Sequence, residues 1–366
     1  MKRFIALGTI GITLLLLAAC SPARTPIPPA GETPWEPGPF LLSERGPYHV
    51  GTRRLSFKDA SRDDRNVGIT VWYPALLPSD STGSRPTADA DPDTSSAPYP
   101  LILSSTKVAN VFAPYLVSRG FVWASVNGID TYAHMNAQMI DQPLDILFTL
   151  NQVASSPPEG LQGMIDAEHA GVIGYSFDGY NALALSGARL DPGYYLAQCP
   201  DPDPTTEPLI LSEYTAFDCA PARAWDDFAS HAGAAITASE DGMWQPMTDG
   251  RIRAVMPMAG EGWWLFGEKG LAAVDRPVLI IVATGDELYP ENALIFEHLG
   301  TPDKALISFV GPAHMMVYDD AMVARMAHFA VAFFGFHLQG RTDLAWYFSK
   351  DFVARQDDLA WGVTQK

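Results

Sequence analysis

Three residues of this sequence have the types and the order that nucleophilic catalysis needs. Ser176 stands in Gly174-Tyr175-Ser176-Phe177-Asp178-Gly179, directly after an apolar run over Ala170–Gly174. Asp286 stands in Thr284-Gly285-Asp286-Glu287-Leu288-Tyr289-Pro290, after a second run over Val278–Ala283. His314 closes Gly311-Pro312-Ala313-His314, after a third over Ala305–Val310. A serine hydroxyl is a poor nucleophile until a base takes its proton, and the imidazole that does so needs a carboxylate to orient it. Serine, acid and histidine in that order, each at the end of an apolar run, form a pattern for acyl transfer. Ser176 would attack, His314 would take its proton, and Asp286 would hold the imidazole, with Glu287 as the nearest competitor for the acid. Plainer roles exist for each: a helix N-cap for Ser176, a turn residue for Asp286 and a hydrogen-bonded loop residue for His314.

Attack on a carbonyl also needs donors for the oxygen that becomes negative, and backbone amides serve whatever their side chains. Phe177 offers one amide. The segment Ser104-Ser105-Thr106-Lys107-Val108, after the apolar Leu101–Leu103, offers a second through Val108 or Lys107. A serine on a sharp strand-to-helix turn wants small neighbours. Gly174 supplies one, but Asp178 occupies the second expected glycine position and Gly179 follows it. For a substrate pocket the candidates are Tyr175, beside the serine, and Trp263 or Trp264 in Glu261-Gly262-Trp263-Trp264, after the apolar Ile252–Met256. Such aromatic residues serve equally well as core.

The elements that must position these residues alternate regularly. Arg53–Phe57 and Val67–Tyr73 read as two opening strands, and Pro78–Pro98, rich in Ser, Thr, Asp and Pro, as a loop. Strands are expected over Leu101–Leu103, Phe121–Val126, Ala170–Gly174, Ile252–Met256, Val278–Ala283 and Ala305–Val310. Helices are expected over Ala113–Arg119, Gln138–Val153, Phe177–Ser186, Glu291–His298 and Asp320–Phe334. Short buried strands alternating with helices predict an α/β fold, a mostly parallel central sheet with helices on both faces. Ligands in such sheets bind beyond the carboxyl ends of the strands. The stretch 187–250, after the serine's helix, is too long for a simple connection and reads as an insertion, either a lid over the site or a surface addition.

The beginning of the chain speaks of export. Met1-Lys2-Arg3 is basic, Phe4–Ala19 is apolar, and the run ends in Leu17-Ala18-Ala19-Cys20. This predicts a signal peptide over 1–19, with Cys20 as a lipidated first residue that tethers the mature protein to a membrane. An ordinary signal with a chance cysteine is the alternative. Residues 20–40, with seven prolines between Pro22 and Pro39, read as a linker, and folding is expected from residue 41 onward. With Cys20 acylated, Cys199 and Cys219 have only each other as partners. An oxidising compartment permits a disulfide between them, and two buried free thiols are the alternative. The formal charge of −18 argues against nucleic acid and against electrostatic docking on anionic lipid. No Cys/His cluster has metal-site spacing.

Several segments resemble the platelet-activating-factor acetylhydrolase-like and dienelactone hydrolase-like branch of the α/β-hydrolases. They are Gly46-Pro47-Tyr48-His49-Val50-Gly51, Asp59-Ala60-Ser61-Arg62, Val71-Trp72-Tyr73-Pro74-Ala75, Gln142-Pro143-Leu144-Asp145-Ile146 and Asp166–Gly174. The likeness covers about residues 46–190 and 250–335. It implies the α/β-hydrolase fold and hydrolysis of carboxylic esters by a Ser176–His314–Asp286 triad through an acyl-enzyme, with no cofactor. Expected substrates are small or medium uncharged esters or acetylated lipids. The sequence departs from the branch in lacking a His-Gly pair near Ser104. That departure and Asp178 keep two rival readings open: a lipase or polyester-degrading hydrolase, and an inactive binding lipoprotein on the same fold.

Overall fold

The computed structural model describes residues 40–77, 85–128, 135–199 and 219–364. The expected signal peptide, Cys20 and nearly all of the linker lie outside them. By its contacts the chain divides into Met1–Gly38 and Pro39–Lys366, and the second unit is the one described.

It opens with a hairpin of β1 (His49–Asp59) and β2 (Arg65–Ala75). The two family-like segments at its open end are register partners, with His49 opposite Ala75 and Gly51 opposite Tyr73. A Cβ placed on Gly51 would fall 2.5 Å from the Tyr73 ring, which accounts for the glycine. Two more of the segments singled out in the sequence, 59–62 and 142–146, also meet. Arg62 binds both Asp59 and Asp145 at 2.6 Å, and Arg65 reaches Asp145 at 2.9 Å and Asp141 at 3.1 Å. These ion pairs fix the hairpin to the helix that carries Asp145.

Within the expected loop 78–98 the structure adds a two-residue strand, β3 (Thr87–Ala88), while residues 78–84 lie outside the described chain. The alternating region follows as β4 (Tyr99–Ser105), α1 (Thr106–Val117), β5 (Val122–Val126), α2 (Met135–Ser155), β6 (Ile165–Tyr175) and α3 (Phe177–Leu185). After the insertion come β7 (Ile252–Met258), β8 (Val278–Ala283), β9 (Lys304–Phe309) and a closing β10 (Leu359–Trp361).

The sheet has ten strands in the order β10-β9-β8-β7-β6-β4-β5-β2-β1-β3. From β5 through β4 to β9 all neighbours are parallel. Every residue of β4, β5 and β8 is buried, as expected where both faces are covered. The chain winds from β4 out to β5, then crosses back over β4 to β6. Winding therefore reverses at β4, and the crevice beyond the carboxyl ends of β4 and β6 is where such sheets hold ligands.

One helix is corrected in a way that bears on the site. Ala113–Arg119 is only the end of α1, which starts at Thr106, immediately after β4, and runs through Pro114. Ser105 caps it, its side chain accepting from the Lys107 amide at 3.3 Å. Lys107 and Val108, the candidates for the second amide, thus lie in the first turn of a helix.

The insertion holds α4 (Pro192–Gln198) and α5 (Trp225–Ala232), with residues 200–218 outside the described chain. Cys199 and Cys219 form a disulfide with Cα atoms 5.7 Å apart. Tyr195, Phe228 and Trp244 are buried. Ring contacts link Tyr195 to Trp225, Trp225 to Phe228 and Trp244, and Tyr195 to Trp264 of the main body. The described part of the insertion is thereby packed into the core.

Candidate active site

Ser176 joins β6 to α3 at φ +60°, ψ −129°, a left-handed geometry rare outside glycine. Its amide donates to Met258 of the neighbouring β7 at 2.9 Å, and its carbonyl accepts from the Gly179 amide at 2.7 Å. The turn is so close that a Cβ on Gly174 would lie 1.9 Å from the Asp178 carbonyl oxygen, and one on Gly179 would lie 2.6 Å from the Gly260 Cα. Glycine is therefore needed at 174 and 179, whereas position 178 accepts a side chain. The fully buried Asp178 carboxylate receives the Ser105 amide at 3.3 Å and the Asn181 side chain at 2.9 Å. It ties the serine's turn to the end of β4 instead of disturbing it.

The three strand-end residues meet. His314 Nε2 lies 3.1 Å from Ser176 Oγ, and His314 Nδ1 lies 3.0 and 3.1 Å from the two Asp286 oxygens. Asp286 is buried and also receives the Leu288 amide at 2.9 Å, while its neighbour Glu287 is half-buried and makes no such bond to the imidazole. Burial pulls His314 down, but the Asp286 hydrogen bond and charge, with Glu287 and Glu261 behind them, outweigh it and raise the imidazole above its ordinary range. That is the direction a base needs if it is to hold a proton during the reaction. Asp286, Glu287 and His314 also bring three potential metal-ligand atoms within 4.8 Å of one another. Both imidazole nitrogens are engaged with Asp286 and Ser176, so a cation there would have to displace those bonds.

The remaining candidates separate. Tyr175 is buried, its hydroxyl donates to the His314 carbonyl oxygen, and its ring lies 5.4 Å from the imidazole. Burial, then the charges of Asp286 and Glu287, push its phenol well above the ordinary range, so it stays a neutral donor. Its hydroxyl thereby joins the end of β6 to the histidine loop. Trp264 is fully buried against Tyr195, with ring centroids 5.6 Å apart, and belongs to the core. Trp263 is partly exposed and lines a cleft of about 440 Å³ with Asp191, Tyr194 and His298. Phe177 opens α3 and Val108 sits in the first turn of α1. The amino ends of these two helices, with their partial positive charge, thus start side by side at the ends of β6 and β4. The Lys107 amide serves the Ser105 cap and its side chain is exposed, which leaves Val108 the better second amide.

One site residue escaped the sequence reading. Glu261, fully buried, places Oε1 3.4 Å from Ser176 Oγ. It was passed over for the two tryptophans beside it, although it follows β7 just as Asp286 follows β8. Comparison with protein-family models and with curated proteins gives no match to this chain.

Proposed function

We propose that the chain is a serine carboxylic ester hydrolase with the α/β-hydrolase fold. The reading is carried by the unbroken line from Asp286 through His314 to Ser176, with the serine at φ +60° on a strand-to-helix turn. Ser176 Oγ attacks the ester carbonyl while His314 Nε2 takes its proton, and Asp286 stabilises the imidazolium that forms. The Phe177 and Val108 amides receive the oxyanion. Collapse of the adduct passes the His314 proton to the leaving alcohol, and water then repeats the sequence on the acyl-enzyme. This chemistry needs no metal or organic cofactor. Ser176 is only 3% exposed, which suits a small or medium uncharged ester reaching into a recess. We place the enzyme outside the cytoplasm, held to a membrane through an acylated Cys20.

A second reading, action on esters presented at a lipid or polymer surface, is favoured by the residues next to His314. Met315 and Tyr318 are 61% and 78% exposed. They lie three apart on the 3₁₀ turn His314–Tyr318, and such residues share one face. Two measurements test these readings. Labelling by a fluorophosphonate, absent in Ser176→Ala, and turnover of p-nitrophenyl acetate or butyrate support the esterase. A wild type that does neither overturns it. A higher rate on emulsified than on dissolved ester would favour the second reading.

A further inference from the structure

The two points at which the sequence departs from the hydrolases it resembles, Ser104-Ser105 and Asp178, meet in the structure. All three residues are buried. The Ser105 amide donates to Asp178 Oδ1 at 3.3 Å. The Ser105 carbonyl accepts the Ser104 hydroxyl at 2.7 Å, and the Ser105 hydroxyl oxygen accepts the Lys107 amide at 3.3 Å. Ser104 is fixed in turn by the Trp123 indole, which donates to it at 2.9 Å. On the other side, Asp178 Oδ1 also accepts from Asn181 at 2.9 Å, and Asn181 donates to Gln142 of α2 at 2.7 Å.

The bond between Ser105 and Asp178 crosses a place where backbone pairing has stopped. The β4–β6 register runs from Tyr99 opposite Ile165 to Leu103 opposite Val172 and ends there. The two amides assigned to the oxyanion lie beyond that end, Val108 in the first turn of α1 and Phe177 in the first turn of α3. They belong to different strand-to-helix units, yet an oxyanion hole works only if both aim at one point.

We propose that Asp178 is a positioning residue for the oxyanion hole, its bond to the Ser105 amide setting the start of α1, with Val108, against the start of α3, with Phe177. The proposal rests on the esterase reading. Asp178 follows Phe177 directly, and Ser105 caps the turn that holds Val108. The bond therefore joins the two donor-bearing turns. A glycine at position 178 would have no side chain to make it. The bond asks only for an acceptor oxygen at Oδ1, which an asparagine also offers. The serine pair at the end of β4 and the aspartate after the nucleophile are thus two halves of one device.

The test is the split between kcat and KM for a p-nitrophenyl ester. Asp178→Ala should lower kcat by about 10–100-fold with KM within about twofold, a part of what loss of a whole oxyanion donor costs. Asp178→Asn should stay within about fivefold of wild type, because the acceptor is kept. A trifluoromethyl ketone, which forms the same oxyanion on Ser176, should lose affinity for Asp178→Ala by about the factor lost in kcat/KM. The bond can also be cut from its other end. Ser105 has φ −83°, close to the value proline imposes, so Ser105→Pro removes the amide donor while Ser105→Ala keeps it. Ser105→Pro should be as slow as Asp178→Ala and slower than Ser105→Ala. The combined Asp178→Ala/Ser105→Pro variant should be no slower than either, since both break one bond. Asp178→Ala that is folded, labelled at Ser176 and as fast as wild type would overturn the inference and leave the esterase standing, as would an Asn variant as slow as the Ala variant. If Asp178→Ala does not fold by circular dichroism, the Ser105 variants decide, and equal rates in Ser105→Pro and Ser105→Ala overturn it. Absence of labelling in wild type removes both readings.

Discussion

The geometry at Ser176 costs a non-glycine residue about 1–3 kcal/mol, and the Met258 and Gly179 hydrogen bonds hold it in place. Two consequences follow for variants at this position. Ser176→Ala should abolish ester hydrolysis and leave the fold unchanged, as should His314→Ala. Ser176→Gly should be equally inactive yet more stable than Ser176→Ala by about 1 kcal/mol, because glycine adopts positive φ without a Cβ clash. Urea denaturation of the two variants checks this ranking. At the acid, Asp286→Asn should lower kcat by about 10³–10⁴-fold by favouring the wrong imidazole tautomer, while Glu287→Gln should change it less than tenfold. The reverse ranking would move the acid to Glu287. Since the Asp286 bond raises His314, and only the neutral imidazole accepts the serine proton, the acid limb of kcat/KM should have its midpoint above 6.5. The meeting of Ser176, His314 and Asp286 was legible because each follows an apolar strand in a fixed order. Glu261 follows β7 in the same way, but its contact with Ser176 joins residues 85 apart in the chain, a tertiary arrangement that no local pattern reveals.

At the scale of elements, the strands buried on both faces were the easiest to read. Val278–Ala283 is β8 to the residue, since an unbroken apolar run bounded by Pro277 and Thr284 has sharp ends. The start of α1 was not legible, because Ser105-Thr106-Lys107 reads as loop until Ser105 is seen capping the helix. β10 is three residues long and carries no period to detect. The insertion read either as a lid over the site or as a surface addition. Its aromatic residues, scattered from Tyr195 to Trp244, form a run of ring contacts that reaches Trp264 of the main body through Tyr195. Its disulfide spans 20 residues, and by chain entropy such a crosslink stabilises on the order of 3 kcal/mol. Because the insertion shares the core, Cys199→Ser/Cys219→Ser should lower the stability of the whole domain by about that amount. A single cooperative transition shifted to lower urea checks it. A separate early transition, with the main one unmoved, would mean that the insertion melts alone.

The whole domain is tied together where its first described residues meet the long helix Asp320–Gln339. That helix is long and apolar enough to cross a membrane, yet most of it is buried in the domain. On it, the fully buried His328 accepts the Leu42 amide at 3.1 Å and stacks on Phe352. Burial, then the Arg119 and Arg325 charges, lower this imidazole to about 3. Between that pH and the ordinary histidine value the unfolded chain binds the extra proton, so stability falls as pH falls across this window. The slope for this one group is roughly 1.4 kcal/mol per pH unit. Denaturation at pH 4 and pH 7 should show a smaller difference in His328→Phe than in wild type. For the chain as a whole, Cys20→Ser should release the mature protein from membranes into the soluble fraction. A wild type that is already soluble would remove the proposed anchor.

The sheet ends on one side in the two residues of β3 and on the other in the three residues of β10. β3 covers only Gly51 and Thr52, so among the described residues most of the eleven-residue β1 is paired on one side alone. Open sheet borders are templates on which another molecule's backbone can grow. A formal charge of −18 sets mutual repulsion against such growth. Salt that screens this charge should therefore promote association, and a protein that is monodisperse in light scattering at low salt should begin to associate as salt is raised.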